Sequence, residues 1–280
     1  MKKVVTSLVP LVKYLKWIPN ALTLGNSLCG FAAILHTLLV YDPSNAETSS
    51  SIFAFSAFMI LCAMVFDAFD GYAARLLNAA SLHGIQMDSL ADMVTFGVAP
   101  ATLVAVMAHR LSEVRSDEFV LVWGLSAIYL GGAALRLAKY NVHAMQEKKS
   151  SDRFSGIPSP GAAAAICSVI FLFAVEHSDK NSMLKLISIL PWYAAFLGFL
   201  MVSTISYQHF GKWFFSVFHN KRRLAVLILI LAALAGEAIV RKNYPVWTIA
   251  ILINGYVVWG LIASILVWAG ILKRVEDVHI

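Results

Sequence analysis

Four aspartates, one arginine and two glycines fall within DAFDGYAARLLNAASLHGIQMDSLAD, residues 67–92, a stretch flanked on both sides by almost wholly apolar sequence. Asp67, Asp70, Gly71, Ala74 and Arg75 sit at i, i+3, i+4, i+7 and i+8, which is one face of a helix. Gly84, Asp88 and Asp92 follow at i, i+4 and i+8, one face of a second helix. The short turn LLNAAS between them predicts antiparallel neighbours whose polar faces meet. Carboxylates gathered in a low-dielectric site repel one another unless cations lie between them. All-oxygen donors favour hard divalent ions such as Mg²⁺ or Mn²⁺, and two such ions about 4 Å apart form the clamp used for displacement at phosphorus. As helix-end charges in water the four would need no partner; on two facing helices they do. The glycines admit two readings: close helix packing, or room for a nucleotide beside the backbone.

The elements that must position this face are membrane spans. The chain has 280 residues, of which 59% are hydrophobic and 14% charged, and its mean hydropathy is +0.74. A soluble domain carries about 25% charged residues. About 20 apolar residues cross the hydrocarbon core as a helix, which predicts eight spans, near 20–41, 52–76, 82–109, 118–141, 159–177, 186–206, 223–241 and 246–271. The fold class expected is therefore an all-α integral membrane protein without a soluble domain. Cys29, Cys62 and Cys167 lie in apolar runs without metal spacing and read as packing residues. None of the eight histidines shows ligand spacing, and His83 alone falls near the aspartates.

An even number of spans places both termini on one side. Sixteen of the 22 lysines and arginines fall there, among them Lys2, Lys3, Arg75, Arg136, Lys139, Lys273 and Arg274. The other side receives Arg110, Arg115, Lys180, Lys185, Arg241 and Lys242. The positive-inside rule then puts the termini and the aspartate turn in the cytoplasm, and a bacterial inner (cytoplasmic) membrane is the expected location. The net charge of +6 is clustered between apolar runs, which suits anionic headgroups and not nucleic acid. Residues 1–16, MKKVVTSLVPLVKYLK, mix lysines with apolar residues around Pro10 and lack a small-x-small cleavage site, so an interfacial amphipathic segment is expected in preference to a signal peptide.

The pattern Asp67-x2-Asp70-Gly71-x2-Ala74-Arg75-x8-Gly84-x3-Asp88-x3-Asp92 resembles, position for position, the signature of the CDP-alcohol phosphotransferase family. The resemblance implies a six-helix catalytic core at residues 17–210, two divalent ions (Mg²⁺ or Mn²⁺), a homodimer, and transfer of a phosphatidyl-type group from a CDP-linked donor to an alcohol with release of CMP. By the same resemblance Asp67, Asp70, Asp88 and Asp92 are metal ligands, and Asp92 is also the catalytic base. Gly71, Ala74, Arg75 and Gly84, with Asp67, are contacts to the CDP-diacylglycerol donor. Pro19-Asn20-x-x-Thr23 resembles the nucleotide-side stretch of the first helix, although proline followed by polar groups is also an ordinary helix start.

LRLAKYN (135–141), FSGIPSPGAAAA (154–165) and MVSTISY (201–207) resemble the phosphatidylserine synthase branch of the family, which implies L-serine as acceptor and phosphatidylserine as product, made by direct attack of the serine hydroxyl. The branch's usual arginine is Lys139 here, and the run after MVS matches loosely. A serine acceptor needs a cation for its carboxylate, and Arg136, Lys139 and Asn141 are the candidate serine contacts; Arg136 can grip a carboxylate bidentately. The plain alternative is that Arg136 and Lys139 reach lipid phosphates as anchors. Choline, glycerol 3-phosphate and inositol are the other acceptors that the motif allows. A divalent-cation transporter, the alternative from another class, calls for broken helices about carboxylates at the bilayer midplane; a non-catalytic scaffold has no use for the full motif. Residues 211–280, outside the resemblance, read as two further spans and a tail with a dimerising or lipid-facing role.

Overall fold

The protein is described here from a computed structural model covering residues 17–39, 46–77, 79, 81–111, 119–146, 154–175, 180–207, 221–241 and 245–269. The amphipathic segment expected at 1–16 lies outside the described residues, as does the tail beyond 269. The chain runs through α1 (Ile18–Leu39), α2 (Ala46–Leu76), α3 (Leu82–Asp92), a π-helical turn (Met93–Val98), α4 (Ala99–Leu111) and α5 (Phe119–Gln146). It continues through β1 (Phe154–Ser155), α6 (Ser159–Val175), α7 (Lys180–Val202), β2 (Ser206–Tyr207), α8 (Lys221–Arg241) and α9 (Val246–Trp268). Among the described residues, six helical stretches are long and apolar enough to cross a membrane, with Leu82–His109 counting as one. Two shorter apolar helices, Ser159–Ala174 and Ser188–Val202, occupy the places of the other expected spans. This is an all-α integral membrane protein.

The outward faces say the same. Val240 is 82% exposed, Trp268 88% and Trp17 74%, which in water would form apolar patches that soluble monomers avoid. Inside, Phe53, Ile60, Phe96, Leu103, Tyr129 and Ile166 are fully enclosed. Every residue of α6 from Ala162 to Ser168 is buried, so the shorter helix forms the centre and the longer ones surround it. The helix α5, which carries Arg136, crosses α7 closely where Gly132 meets Gly198: a methyl built on Gly198 would stand 2.7 Å from the Ile128 carbonyl oxygen. Small residues permit this kind of approach between membrane helices.

Two features depart from the expectation. Instead of ending near residue 206, α7 stops at Val202 and the chain turns into β2. There it pairs antiparallel with β1, Phe154 opposite Tyr207 and Ser155 opposite Ser206. Gly156 allows the join with φ +87, donating its N–H to the Ile205 carbonyl at 2.8 Å while Ile157 N–H reaches the Leu200 carbonyl at 3.2 Å. Secondly, α3 does not stand in close packing along α2. It is α1 that packs against both, lying along α2 and touching α3 and the π turn.

Candidate active site

The aspartate faces do converge. Carboxylate oxygens of Asp67 and Asp70, on α2, and of Asp88, on α3, all lie within 4.8 Å of one another. The N-terminus of α3 is fixed by Ser81, whose hydroxyl accepts the Gly84 N–H at 3.0 Å. One turn beyond Asp88, Asp92 is 8% exposed and its carboxyl is in hydrogen-bonding contact with that of Asp67. Three carboxylates from two helices brought together at this spacing are hard oxygen donors of the kind that hold Mg²⁺ or Mn²⁺. The donor set therefore fits a divalent ion.

Two side chains of α1 complete the cluster. Thr23 Oγ1 donates to Asp70 Oδ2 at 2.8 Å and also stands 3.0 Å from the Pro19 carbonyl. Asn26, 0% exposed, presents Nδ2 to Asp92 Oδ1 at 3.4 Å. The polar spacing of Thr23 and Asn26, i and i+3 in an otherwise apolar span, was a signal for Asn26 that the motif-based reading missed, since buried polar groups in membrane helices mark functional surfaces. Immediately after Asp92 the helix widens into the π turn. Thr95 there donates to the Asn26 carbonyl at 3.0 Å, and the fully buried Tyr129 donates to the Phe96 carbonyl at 2.7 Å. Single π turns recur at functional sites, and this one is tied to α1 and α5 by side-chain bonds. Gly30 makes room for it, because a methyl there would stand 2.5 Å from Thr95 Oγ1 and 2.7 Å from Thr95 Cα.

Of the two readings of the glycines, close packing is not what the structure shows at Gly71. A methyl there would meet only the Arg75 guanidinium, at 3.8 Å, so an open space flanked by a cation lies beside the backbone. At Gly84 the nearest atom is the capping Ser81 hydroxyl, 3.2 Å from such a methyl. Ala74 is half-buried, Arg75 exposed, Pro19 buried and Asn20 half-buried.

Among the candidate acceptor contacts, Arg136 points inward. Its Nη1 donates to Ser159 Oγ at 2.9 Å, at the first residue of α6, and its charge bears on Asp92 and Asp67. Asn141 accepts from Ser89 Oγ at 2.7 Å, between Asp88 and Asp92 in sequence. Lys139 is exposed on the outer side of α5. His83 is exposed as well.

A family model described as CDP-alcohol phosphatidyltransferase matches residues 16–200. The chain is 34% identical over 198 residues to a CDP-diacylglycerol–serine O-phosphatidyltransferase of Bacillus subtilis, covering 71% of this chain and 93% of that protein. It is 30% identical over 246 residues to the protein of the same name from Helicobacter pylori, covering 87% and 89%. An archaetidylserine synthase of Methanothermobacter thermautotrophicus is 29% identical over 194 residues, covering 68% and 69%. With α1 to α7 inside the matched region and the aspartates of α2 and α3 assembled as the motif requires, the chain belongs to the CDP-alcohol phosphatidyltransferase family.

Proposed function

We propose that the chain transfers the phosphatidyl group of CDP-diacylglycerol to the hydroxyl of L-serine, forming phosphatidylserine and CMP at the cytoplasmic side of the membrane. The observation that carries this reading is the meeting of Asp67, Asp70 and Asp88 within 4.8 Å, with Asp92 and Arg136 on the inner side of the cluster. Asp67, Asp70 and Asp88, with Asp92, are the residues that would hold divalent ions. When bound, such ions neutralise the pyrophosphate oxygens of the donor and stabilise charge on the phosphorus under attack. The open space at Gly71 and the Arg75 cation beside it receive the nucleotide phosphate; Ala74 and Gly84 flank it. Thr23 fixes the orientation of the Asp70 carboxylate, and Pro19 and Asn20 hold the start of α1 in register.

In the chemical step the serine hydroxyl oxygen forms a bond to the lipid-side phosphorus, and the bond from that phosphorus to the bridging oxygen breaks, so CMP leaves with that oxygen. The proton of the serine hydroxyl passes to Asp92, whose carboxylate Asn26 orients. A positioned acceptor contributes although a carboxylate is a weak base, because the proton becomes acidic as the new bond forms. Arg136, steadied by Ser159, supplies the cation for the serine carboxylate. Serine is supported further by the names of the relatives, which share it although one belongs to an archaetidyl lipid. Transport of a divalent ion is not favoured: the chain from Leu82 to Leu111 is helical throughout, widened at the π turn but not broken.

The test is CMP release from CDP-diacylglycerol by the purified protein with Mn²⁺ and, in turn, serine, choline, glycerol 3-phosphate and inositol. Release confined to serine is expected. Release that is faster with any other acceptor would overturn the acceptor assignment while leaving the reaction class in place.

A further inference from the structure

The last two helices lie beyond the matched region, and they behave differently from each other. The window Leu224–Arg241 of α8 is 0% buried, and α8 is joined to α9 by Glu237, which accepts the Trp247 and Thr248 N–H groups at 3.0 and 2.7 Å. By contrast α9 is fastened to the core along one face, with Val246, Ala250, Val257 and Gly260 buried. Asn254 on that face accepts from the Tyr193 hydroxyl of α7 and donates to Ser168 Oγ of α6 at 3.0 Å. The Tyr207 hydroxyl of β2 donates to the Val257 carbonyl at 3.2 Å, and its ring lies so close over Gly260 that a side chain there would collide. Polar bonds of this kind between membrane helices are each worth about 0.6–2 kcal/mol, so together they fix the register of α9.

That register puts Tyr256 at the acceptor side of the site. Its ring stands 5.5 Å, centroid to centroid, from Tyr207. A methyl built on Gly161 would lie 3.8 Å from Tyr256 Cε1, only two residues from Ser159, which accepts from Arg136 at 2.9 Å. The phenol is within electrostatic range of the Arg136 guanidinium. We infer that Tyr256 is a positioning residue, which holds Arg136 against the start of α6 and so sets the affinity for the acceptor. A helix outside the common catalytic core thereby takes part in acceptor recognition. This rests on the reading of Arg136 as the acceptor's cation.

The test uses full-length protein in detergent, with KM for serine, KM for CDP-diacylglycerol, kcat and the melting temperature measured for each variant. Tyr256→Leu is expected to raise the KM for serine about tenfold, the scale of one polar contact, with kcat and the donor KM within about twofold and the melting temperature unchanged. In an Arg136→Ala background the same substitution is expected to change the serine KM less than about twofold, because Tyr256 acts through Arg136. Should Tyr256→Leu not fold, Tyr256→Phe keeps the ring against Gly161 and Tyr207 and is expected to raise the serine KM about two- to tenfold through loss of the hydroxyl. A serine KM unmoved in these variants, while Arg136→Ala raises it, overturns the role of Tyr256 alone. An equal rise from Tyr256→Leu with and without Arg136 also overturns it. A serine KM unmoved in Arg136→Ala overturns both this inference and the acceptor role of Arg136 on which it rests.

Discussion

Replacing Thr23 by valine removes one hydroxyl and little else: the side chain stays branched at Cβ and nearly the same size, inside an α1 position only 5% exposed. Its hydroxyl has two acceptors in reach and one proton to give. Asp70 Oδ2, at 2.8 Å, is both nearer than the Pro19 carbonyl at 3.0 Å and charged, so the proton belongs on the carboxylate. A hydrogen bond to a charged group is worth about 1.5–3 kcal/mol. If that energy serves to hold the Asp70 carboxylate in its ligating orientation, its loss weakens divalent-ion binding by roughly ten- to 150-fold, in line with the 10–100-fold typical of groups that orient metal ligands. Mn²⁺ binding to Thr23→Val in detergent, followed by electron paramagnetic resonance, is expected to show that weakening, and Thr23→Ser is expected to recover most of the affinity. Turnover should return toward the native rate at high Mn²⁺. Native Mn²⁺ affinity in Thr23→Val would refute the reasoning, and would mean that the hydroxyl serves only the Pro19 carbonyl.

Asp92→Asn is expected to keep CDP-diacylglycerol binding while turnover falls about 10²–10⁴-fold, the contribution of a positioned proton acceptor; single-turnover measurements on the purified variant check it. Because serine attacks directly, labelled CMP should not exchange into CDP-diacylglycerol when serine is absent, and such exchange would point to a phosphatidyl-enzyme. Gly30→Ala drives a methyl into the Thr95 backbone at 2.7 Å, so about 1–3 kcal/mol of stability should be lost, visible as a lower melting temperature, with activity falling as Thr23 and Asn26 are displaced. Gly124→Ala, where a methyl meets nothing within 4 Å, is the matched control and should be neutral in both readouts.

What could be read from the sequence was whatever repeats locally. Span lengths follow from the bilayer, and the i, i+3, i+4 pattern of the aspartates follows from one helical turn, so α2, α3 and their polar faces were legible before any coordinates. The partner of those faces was not. A short turn suggests that α2 and α3 pack on each other, yet α1 lies against both and brings Thr23 to Asp70 and Asn26 to Asp92. That arrangement depends on Gly30 and Thr95, which sit 65 positions apart in sequence numbering (95 less 30) and carry no joint pattern. The π turn is equally silent, because its stability comes from the Tyr129 hydroxyl and the Asn26 carbonyl, both on other helices. The motifs FSGIPSP and MVSTISY were each visible, but their pairing as β1 and β2 was not, since a two-residue ladder has no periodicity to read. The docking of α9 rests on Asn254, Tyr207 and Gly260, single residues whose partners lie far along the chain. Its lipid-facing role, expected from apolarity alone, holds for α8 and not for the buried face of α9.

The claim on which everything else depends is that the four carboxylates hold divalent ions that the reaction requires. Bound Mn²⁺ and CMP release in the presence of serine should be measured on the same samples of native protein and of Asp67→Asn, Asp70→Asn and Asp88→Asn. The expected result is tight Mn²⁺ binding and turnover in the native protein, both abolished by EDTA, and both lost together in each variant. Full turnover in EDTA, or an asparagine variant that turns over normally without binding Mn²⁺, would contradict it.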